Sequence, residues 1–270
     1  HTTVPIGGGL SSSASLEVAV ATLLEALTDQ TLDPAEKALL CQEAEHTFAK
    51  VPCGIMDQFA SVFGQASTAL MLDCRSQRIE PVPFDSDDVT LLVTDSHVKH
   101  ELAGGEYAAR RRQCEEAAAA LGVAALRDAE MSALMRLKRT LDPVLFKRAY
   151  HVIGEIERTR RAAAHLQAGD WMGFGRLMYD SHTSLRDAFE VSCEQLDLLV
   201  NIAASIGVEG GVFGARMTGG GFGGCTITLV RQVKADAVAR RLYTEYVEAT
   251  AIEPLLFATR PATGARVHNV

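Results

Sequence analysis

Apolar residues recur at helical spacing near the start of the chain and predict two helices there. In the first helix the apolar positions are three or four residues apart, so they share one helical face. They are Leu16, Val20, Leu23, Leu24 and Leu27. The second helix is predicted to open at Asp33-Pro34-Ala35-Glu36. An acidic cap, a proline in the first turn and a glutamate three residues after the cap form its start signal.

Further along, the pattern predicts short strands around a helical middle. A short helix is expected after Pro52 and Gly54. Strands are expected at 2–6, 69–72, 89–94, 214–218, 225–230 and 255–258. Helices are expected from about 105 to 206, with interruptions near Gly122, Asp142 and Gly169, and again over 233–247. This mixture indicates an α+β fold.

Composition and charge narrow the class of protein. The chain has 270 residues, of which 47% are hydrophobic and 22% charged, as in a globular protein. A net charge of −8 argues against nucleic acid or an anionic membrane as the main partner. The sequence also has no apolar run of about 18 residues, so no membrane span is expected. Six cysteines without CxxC spacing favour reduced cytoplasmic thiols over a zinc site or disulfides.

A glycine loop near the start of the chain has the features of a phosphate-binding site. It consists of Gly7, Gly8, Gly9, Leu10, Ser11, Ser12 and Ser13. Successive glycines let backbone N–H groups converge, and the helix that follows adds its unpaired N–H groups and dipole. The loop is not a Walker A sequence, because no Gly-Lys-Ser/Thr closes it. The alternative is a glycine turn with a serine cap on an ordinary helix.

A second glycine loop runs from Met217 to Cys225 and contains the spacing GxGxxG. A strand follows it and not a helix, so a Rossmann dinucleotide site is excluded. The chain also lacks the His-Arg-Asp and Asp-Phe-Gly sequences of protein kinases. The alternative to a ligand-binding loop is a glycine-rich hairpin that needs positive φ.

Three stretches resemble galactokinases of the GHMP kinase superfamily. They are 5–15 (PIGGGLSSSAS), 52–58 (PCGIMDQ) and 216–225 (RMTGGGFGGC). The resemblance implies a GHMP kinase fold: a truncated N-terminal α/β domain (ribosomal protein S5 domain 2-like) and a C-terminal ferredoxin-like α+β domain with extra helices. We assign residues 1–90 to the first domain and 91–270 to the second.

By that resemblance, the first loop binds the phosphates of ATP, and Ser13 and Glu45 hold Mg²⁺. Asp57 faces the sugar hydroxyl that accepts the phosphoryl group, and Gly54 and Tyr107 contact the sugar. Gly219, Gly220 and Gly221 support the wall of the active site. The residues alone leave alternatives open: a solvated helix glutamate at 45, an acid serving the helix dipole at 57, and core packing at 107.

Two further expectations follow from the sequence. Arg110, Arg111 and Arg112 are interpreted as a solvated helix face, with pairs at i,i+4 to Glu115 and Glu116. The family's first motif, Gly-Glu-His-Thr-Asp with a preceding arginine, is absent, and the chain begins at His1 inside a strand-like stretch. We therefore expect an upstream segment in the parent protein.

The resemblance implies an ATP-dependent kinase that phosphorylates the C1 hydroxyl of D-galactose, with Mg²⁺ as cofactor. The expected partners are galactose and Mg-ATP, with no nucleic acid or membrane, and the protein is expected to be a cytoplasmic monomer. One alternative is another GHMP kinase, such as an N-acetylgalactosamine kinase. Another alternative is a non-catalytic sensor of galactose and ATP. A further alternative concerns the 270-residue chain itself, which would then be an inactive fragment of the kinase.

Overall fold

A computed structural model of the chain describes residues 1–6, 8–99 and 103–268, which form two compact units. Unit 1 contains His1–Asp87 and the segment that begins at Thr259, and unit 2 contains Asp88–Ala258. The domain bounds 1–90 and 91–270 stay a prediction. The C-terminal segment lies with unit 1. Backbone hydrogen bonds hold it there: the N–H of Gly264 donates to Gly64 and that of Ala265 to Ser61, both at 2.8 Å.

Unit 1 consists of helices followed by a two-stranded sheet. The elements are α1 (Ser12–Thr28), α2 (Pro34–Ala44), α3 (Met56–Phe63), β1 (Thr68–Leu72) and β2 (Ile79–Pro83). The start signal of α2 is confirmed, because the Asp33 carboxylate accepts from the N–H groups of Ala35 and Glu36. The strand predicted at 2–6 is wrong. Residues 1–6 are irregular, since among the described residues no strand pairs with them.

Helix α1 buries a different face from the one that its leucines mark. Ala14 and Val18, one turn apart, are fully buried against the other helices of unit 1. The predicted apolar face is exposed instead, with Leu16 66%, Leu23 55% and Leu27 72% accessible. We call the residues Leu16, Val20, Leu23, Leu24 and Leu27 the leucine face of α1. It lies at the surface of this chain.

Unit 2 combines the predicted helical middle with a four-stranded sheet. The elements are β3 (Val89–Lys99), α4 (Ala103–Ala120), α5 (Met131–Arg136), α6 (Pro143–Gln167), α7 (Trp171–Ser184), α8 (Glu194–Ile206), β4 (Val212–Met217), β5 (Gly223–Arg231), α9 (Ala235–Thr250) and β6 (Leu255–Thr259). The strand order is β4-β5-β3-β6, and β5 pairs antiparallel with both neighbours. The succession strand, helices, strand, strand, helix, strand is that of a ferredoxin-like domain, as predicted.

The core of unit 2 lies between the sheet and helices α8 and α9. Leu199 of α8, Leu242 of α9 and Val230 of β5 are buried there. Tyr246 of α9 is fully buried, and its hydroxyl donates to the Ser96 carbonyl at 2.9 Å. No helix formed by the described residues is long and apolar enough to cross a membrane.

A buried histidine makes the stability of unit 2 sensitive to acid. His151 of α6 is 5% exposed, and its Nδ1 lies 2.9 Å from the Ser184 hydroxyl. Burial lowers its pKa from 6.5 to about 4; the charge of Glu155 opposes this shift, and Arg148, Arg158 and Arg216 reinforce it. Since the unfolded chain then binds the proton more tightly, stability falls as pH drops from 6.5 towards 4.

We expect protonation of His151 to lower the free energy of unfolding by about 2 kcal/mol when the pH falls from 7 to 5. Urea unfolding at both pH values would measure it, with His151→Gln as the comparison. The variant should show a smaller decrease than the wild type by about this amount. Equal decreases in the two proteins would contradict the prediction.

Candidate active site

The first glycine loop leads directly into the N-terminus of α1. Gly7 lies outside the described residues; Gly8 is buried, and Gly9 has a φ of 74°. Ser11, the residue before the helix, has a left-handed backbone (φ 53°) and makes no capping hydrogen bond with its side chain. The alternative from the sequence, a serine side chain that caps an ordinary helix, is therefore wrong for Ser11. The first N–H groups of α1 lack a side-chain cap, as at helix ends that bind anions.

Glu45 begins a π-helical turn, Glu45–Ala49, that extends α2. It is only 7% exposed, and its Oε2 has no hydrogen-bond partner among the described residues. A solvated glutamate, the alternative left open by the sequence, is therefore excluded. An isolated buried carboxylate oxygen is costly unless a proton or a cation reaches it, and π-helical turns are frequent at functional sites.

Glu17 of α1 faces Glu45 and was missed by the sequence analysis. Its carboxyl group interacts with that of Glu45, and it accepts a hydrogen bond at Oε2 from the Gln58 amide Nε2 at 3.4 Å. Burial, followed by the contact with and charge of Glu45, raises the pKa of Glu17 to about 7. Glu17 stands one helical turn after Ser13, which is the only signal in the sequence that could have indicated it.

Asp57 lies in the first turn of α3 and is half-buried. Among the described residues none hydrogen-bonds its carboxylate. The segment before it is fixed to α2, because the Cys53 carbonyl accepts from the Gln42 amide at 3.2 Å and lies 2.9 Å from His46 Nε2. The first turn of α3 therefore presents an acidic side chain that no described residue engages by a hydrogen bond.

Gly54 is exposed, and a Cβ added to it would meet no atom within 4 Å. Its φ is not in the left-handed region either. Neither protein packing nor backbone conformation explains this glycine. Contact with a ligand is an explanation that remains open.

The second glycine loop is a hairpin between β4 and β5, so its exclusion as a Rossmann site is confirmed. The bond from Thr218 N–H to the Cys225 carbonyl (3.0 Å) closes the hairpin, and Phe222 N–H donates to the Val191 carbonyl before α8 (2.7 Å). Gly221 has a φ of 89°, and a Cβ there would lie 2.2 Å from the Val191 oxygen. Only glycine fits this position.

Tyr107 of α4 lies beside this loop. A Cβ added to Gly220 would be 3.9 Å from its Cδ2, and the side chain is 38% exposed. Tyr107 is therefore not a core residue, which removes the alternative left open by the sequence. The structure brings together Tyr107 and Gly220 in unit 2, and Glu45, Glu17 and Gln58 in unit 1.

The prediction for Arg110 is wrong. Its side chain is 12% exposed and donates to the carbonyls of Phe189 (2.8 Å) and Glu190 (2.7 Å). Its guanidinium also lies 5.6 Å from the centre of the Phe222 ring, in a cation–π contact. Arg110 thus fixes the second loop and its support to α4. The solvated pair Arg111–Glu115 is confirmed at 3.1 Å.

A large cavity of unit 2, about 780 Å³, lies elsewhere, between α6 and α7. Its wall mixes arginines with acidic residues and includes none of the predicted site residues. We assign it no role.

Comparison with known proteins identifies the family. Residues 1–65 match the family model of the GHMP kinases N terminal domain, and residues 162–248 match that of the GHMP kinases C terminal. Human galactokinase is 50% identical over 264 residues, which cover 98% of this chain and 66% of the human protein. The crystal structure of Lactococcus lactis galactokinase complexed with galactose matches with a TM-score of 0.91 and 32% identity, over 97% of this chain and 68% of that chain. The chain belongs to the galactokinase family of GHMP kinases.

Other GHMP kinases share the fold at greater distance. Mevalonate kinase of L. major matches with a TM-score of 0.61 and 20% identity, over 94% of this chain and 66% of that chain. This likeness supports the fold alone. The chain spans 66% of the length of the human galactokinase.

Proposed function

We propose that this chain carries the phosphate-binding and acceptor-side parts of an ATP-dependent galactokinase. The reaction transfers the γ-phosphoryl group of ATP to the C1 hydroxyl of D-galactose and gives galactose 1-phosphate and ADP. The observation that carries the proposal is the buried carboxylate of Glu45, whose Oε2 has no hydrogen-bond partner among the described residues, beside the helix that opens at the glycine loop. The galactokinase relatives, one of them complexed with galactose, supply the substrate class.

The glycine loop, Gly7 to Ser13, binds the ATP phosphates in this proposal. Backbone N–H groups of the loop and of the first turn of α1 donate to phosphate oxygens, and the helix dipole favours the negative charge. The left-handed conformation of Ser11 supports this role, since it leaves those N–H groups without a side-chain cap.

Glu45 and the Ser13 hydroxyl hold Mg²⁺ in this proposal. The donor set fits, because Mg²⁺ prefers hard oxygen ligands and is commonly bound by one or two carboxylates together with substrate phosphates. The orphaned Glu45 Oε2 is such a ligand. When bound, the ion neutralises negative charge that develops on the phosphoryl oxygens.

Asp57 acts on the acceptor sugar. Its carboxylate accepts a hydrogen bond from the C1 hydroxyl, orients the oxygen towards the phosphorus and can take up the hydroxyl proton. Gly54, in the segment before α3, contacts the sugar ring. The roles that the resemblance gives to residues of unit 2 stay predictions: a sugar contact for Tyr107, and the wall for Gly219, Gly220 and Gly221. The half-buried position of Asp57, whose carboxylate no described residue hydrogen-bonds, supports this assignment.

The test is ADP release by the full-length gene product with Mg-ATP. ADP should form with galactose and not without a sugar, and N-acetylgalactosamine should react far more slowly. Faster turnover with N-acetylgalactosamine would favour the other GHMP kinase, and sugar binding without ADP release would favour a sensor. If no sugar in a panel of hexoses supports ADP release, the proposed kinase activity is wrong.

A cytoplasmic location and a monomeric state remain predictions. The cysteines support the first, because all six are free thiols in the structure, as expected in a reducing compartment. Analytical ultracentrifugation would measure the second.

A further inference from the structure

We propose that Glu17 is a second carboxylate of the cation site at Glu45, so that the divalent ion is held by an acidic pair from α1 and the end of α2. The inference rests on the proposed function for the identity of the ion. It adds a residue that neither the sequence motifs nor the comparisons assign.

The first support is placement. Glu17 follows Ser13 by four residues on α1, so both side chains lie on the same side of the helix that starts at the phosphate-binding loop. Helix α1 packs on α2, and the carboxyl group of Glu17 interacts electrostatically with that of Glu45 at the end of α2. A ligand of Glu45 is therefore within reach of Glu17 as well.

The second support is the set of unpartnered atoms around the pair. Glu45 and Gln58 are only 7% and 2% exposed. Even so, Glu45 Oε2 and Gln58 Oε1 have no hydrogen-bond partner among the described residues. Buried polar atoms in folded proteins are nearly always satisfied. One unpartnered oxygen within the acidic pair and another on the neighbouring Gln58 indicate a ligand that binds oxygen atoms.

The third support is charge. The charge that acts on Glu17 among the described residues is the negative one of Glu45. Two neighbouring carboxylates repel each other strongly when partly removed from water, and a cation between them replaces this repulsion by attraction.

Gln58 holds the carboxylate of Glu17 in position. Its amide Nε2 donates a hydrogen bond to Glu17 Oε2 at 3.4 Å, so Gln58 is a positioning residue.

The test is direct binding of Mn²⁺, a paramagnetic substitute for Mg²⁺, to the 270-residue chain by electron paramagnetic resonance. Glu17→Gln keeps the size of the side chain and removes its charge, and should weaken Mn²⁺ binding by about 10–100-fold. Glu45→Gln should weaken it at least as much. The matched control is Glu43→Gln, an exposed residue of α2 that loses the same charge and should bind Mn²⁺ like the wild type.

Thermal unfolding separates this role from a purely structural one. At pH 8 and without metal, Glu17→Gln should unfold at the same or a higher temperature than the wild type, because one of two repelling charges is gone. With Mn²⁺ the wild type should gain stability and the variant should gain less. A merely structural glutamate would show the opposite: lower stability without metal and unchanged Mn²⁺ affinity.

The inference is overturned if Glu17→Gln binds Mn²⁺ as tightly as the wild type, or if the wild type binds it no tighter than Glu45→Gln. ADP release tests the proposed function separately. If the full-length protein phosphorylates galactose but Glu17→Gln leaves Mn²⁺ binding unchanged, this inference is wrong and the proposed function stands. If Mn²⁺ binds as expected but the protein phosphorylates no sugar, the proposed kinase activity is wrong and this inference stands.

Discussion

Replacement of Asp57 by Asn should lower kcat for galactose-dependent ADP release by about 10²–10⁴-fold, the range typical of a positioned acid–base group. Asn keeps the shape of the side chain, so sugar binding and KM should change little. The variant loses the interaction between the carboxylate and the C1 hydroxyl, whose oxygen becomes more nucleophilic as its proton leaves. Because this interaction is strongest in the transition state, kcat falls while KM changes little.

The matched control for this experiment is Asp29→Asn. Asp29 ends α1 at the surface in a left-handed conformation (φ 54°), which Asn adopts readily. It loses the same charge within unit 1 and should leave both kcat and stability unchanged. A near-normal kcat in Asp57→Asn, with the control behaving as stated, would show that Asp57 is not the acceptor-side residue.

Substitution of Gly221 by Ala should destabilise the protein by about 2–4 kcal/mol, through backbone strain and overpacking together. The φ of 89° is unfavourable for any L-residue, and the new methyl group would lie 2.2 Å from the Val191 oxygen and 2.8 Å from its Cβ. The neighbouring carbonyl is backbone and is held in place by Phe222 N–H, so it has little freedom to move aside.

Gly220→Ala is the matched comparison, one position away in the same loop. Its φ is not in the left-handed region, and the added methyl group would meet only Tyr107 Cδ2 at 3.9 Å. Its unfolding free energy should stay within about 1 kcal/mol of the wild type. Urea unfolding of both variants measures the difference, and equal stabilities would contradict the strain assigned to Gly221.

Local signals predicted most of the fold. The start of α2 depends on a cap that Asp33 forms with residues two and three positions away, and the hairpin around Gly221 depends on its own glycines. Such features follow from neighbours in sequence. Strand β2 was missed because prolines at 81 and 83 obscure its pattern.

The features that escaped the sequence depend on distant contacts. Glu17 and Glu45 are 28 positions apart and meet only when α1 packs on α2. Arg110 reads as one of three similar arginines, and its burial depends on carbonyls 79 and 80 residues away. Periodicity marks which face of a helix is apolar, but it does not say what covers that face.

The leucine face of α1 has a calorimetric consequence. Its side chains are already hydrated in the folded chain, where Leu27 is 72% and Leu16 66% accessible. Unfolding therefore transfers less new hydrocarbon into water than the length of the chain implies. The heat capacity of unfolding is smaller as a result, and the dependence of stability on temperature is flatter.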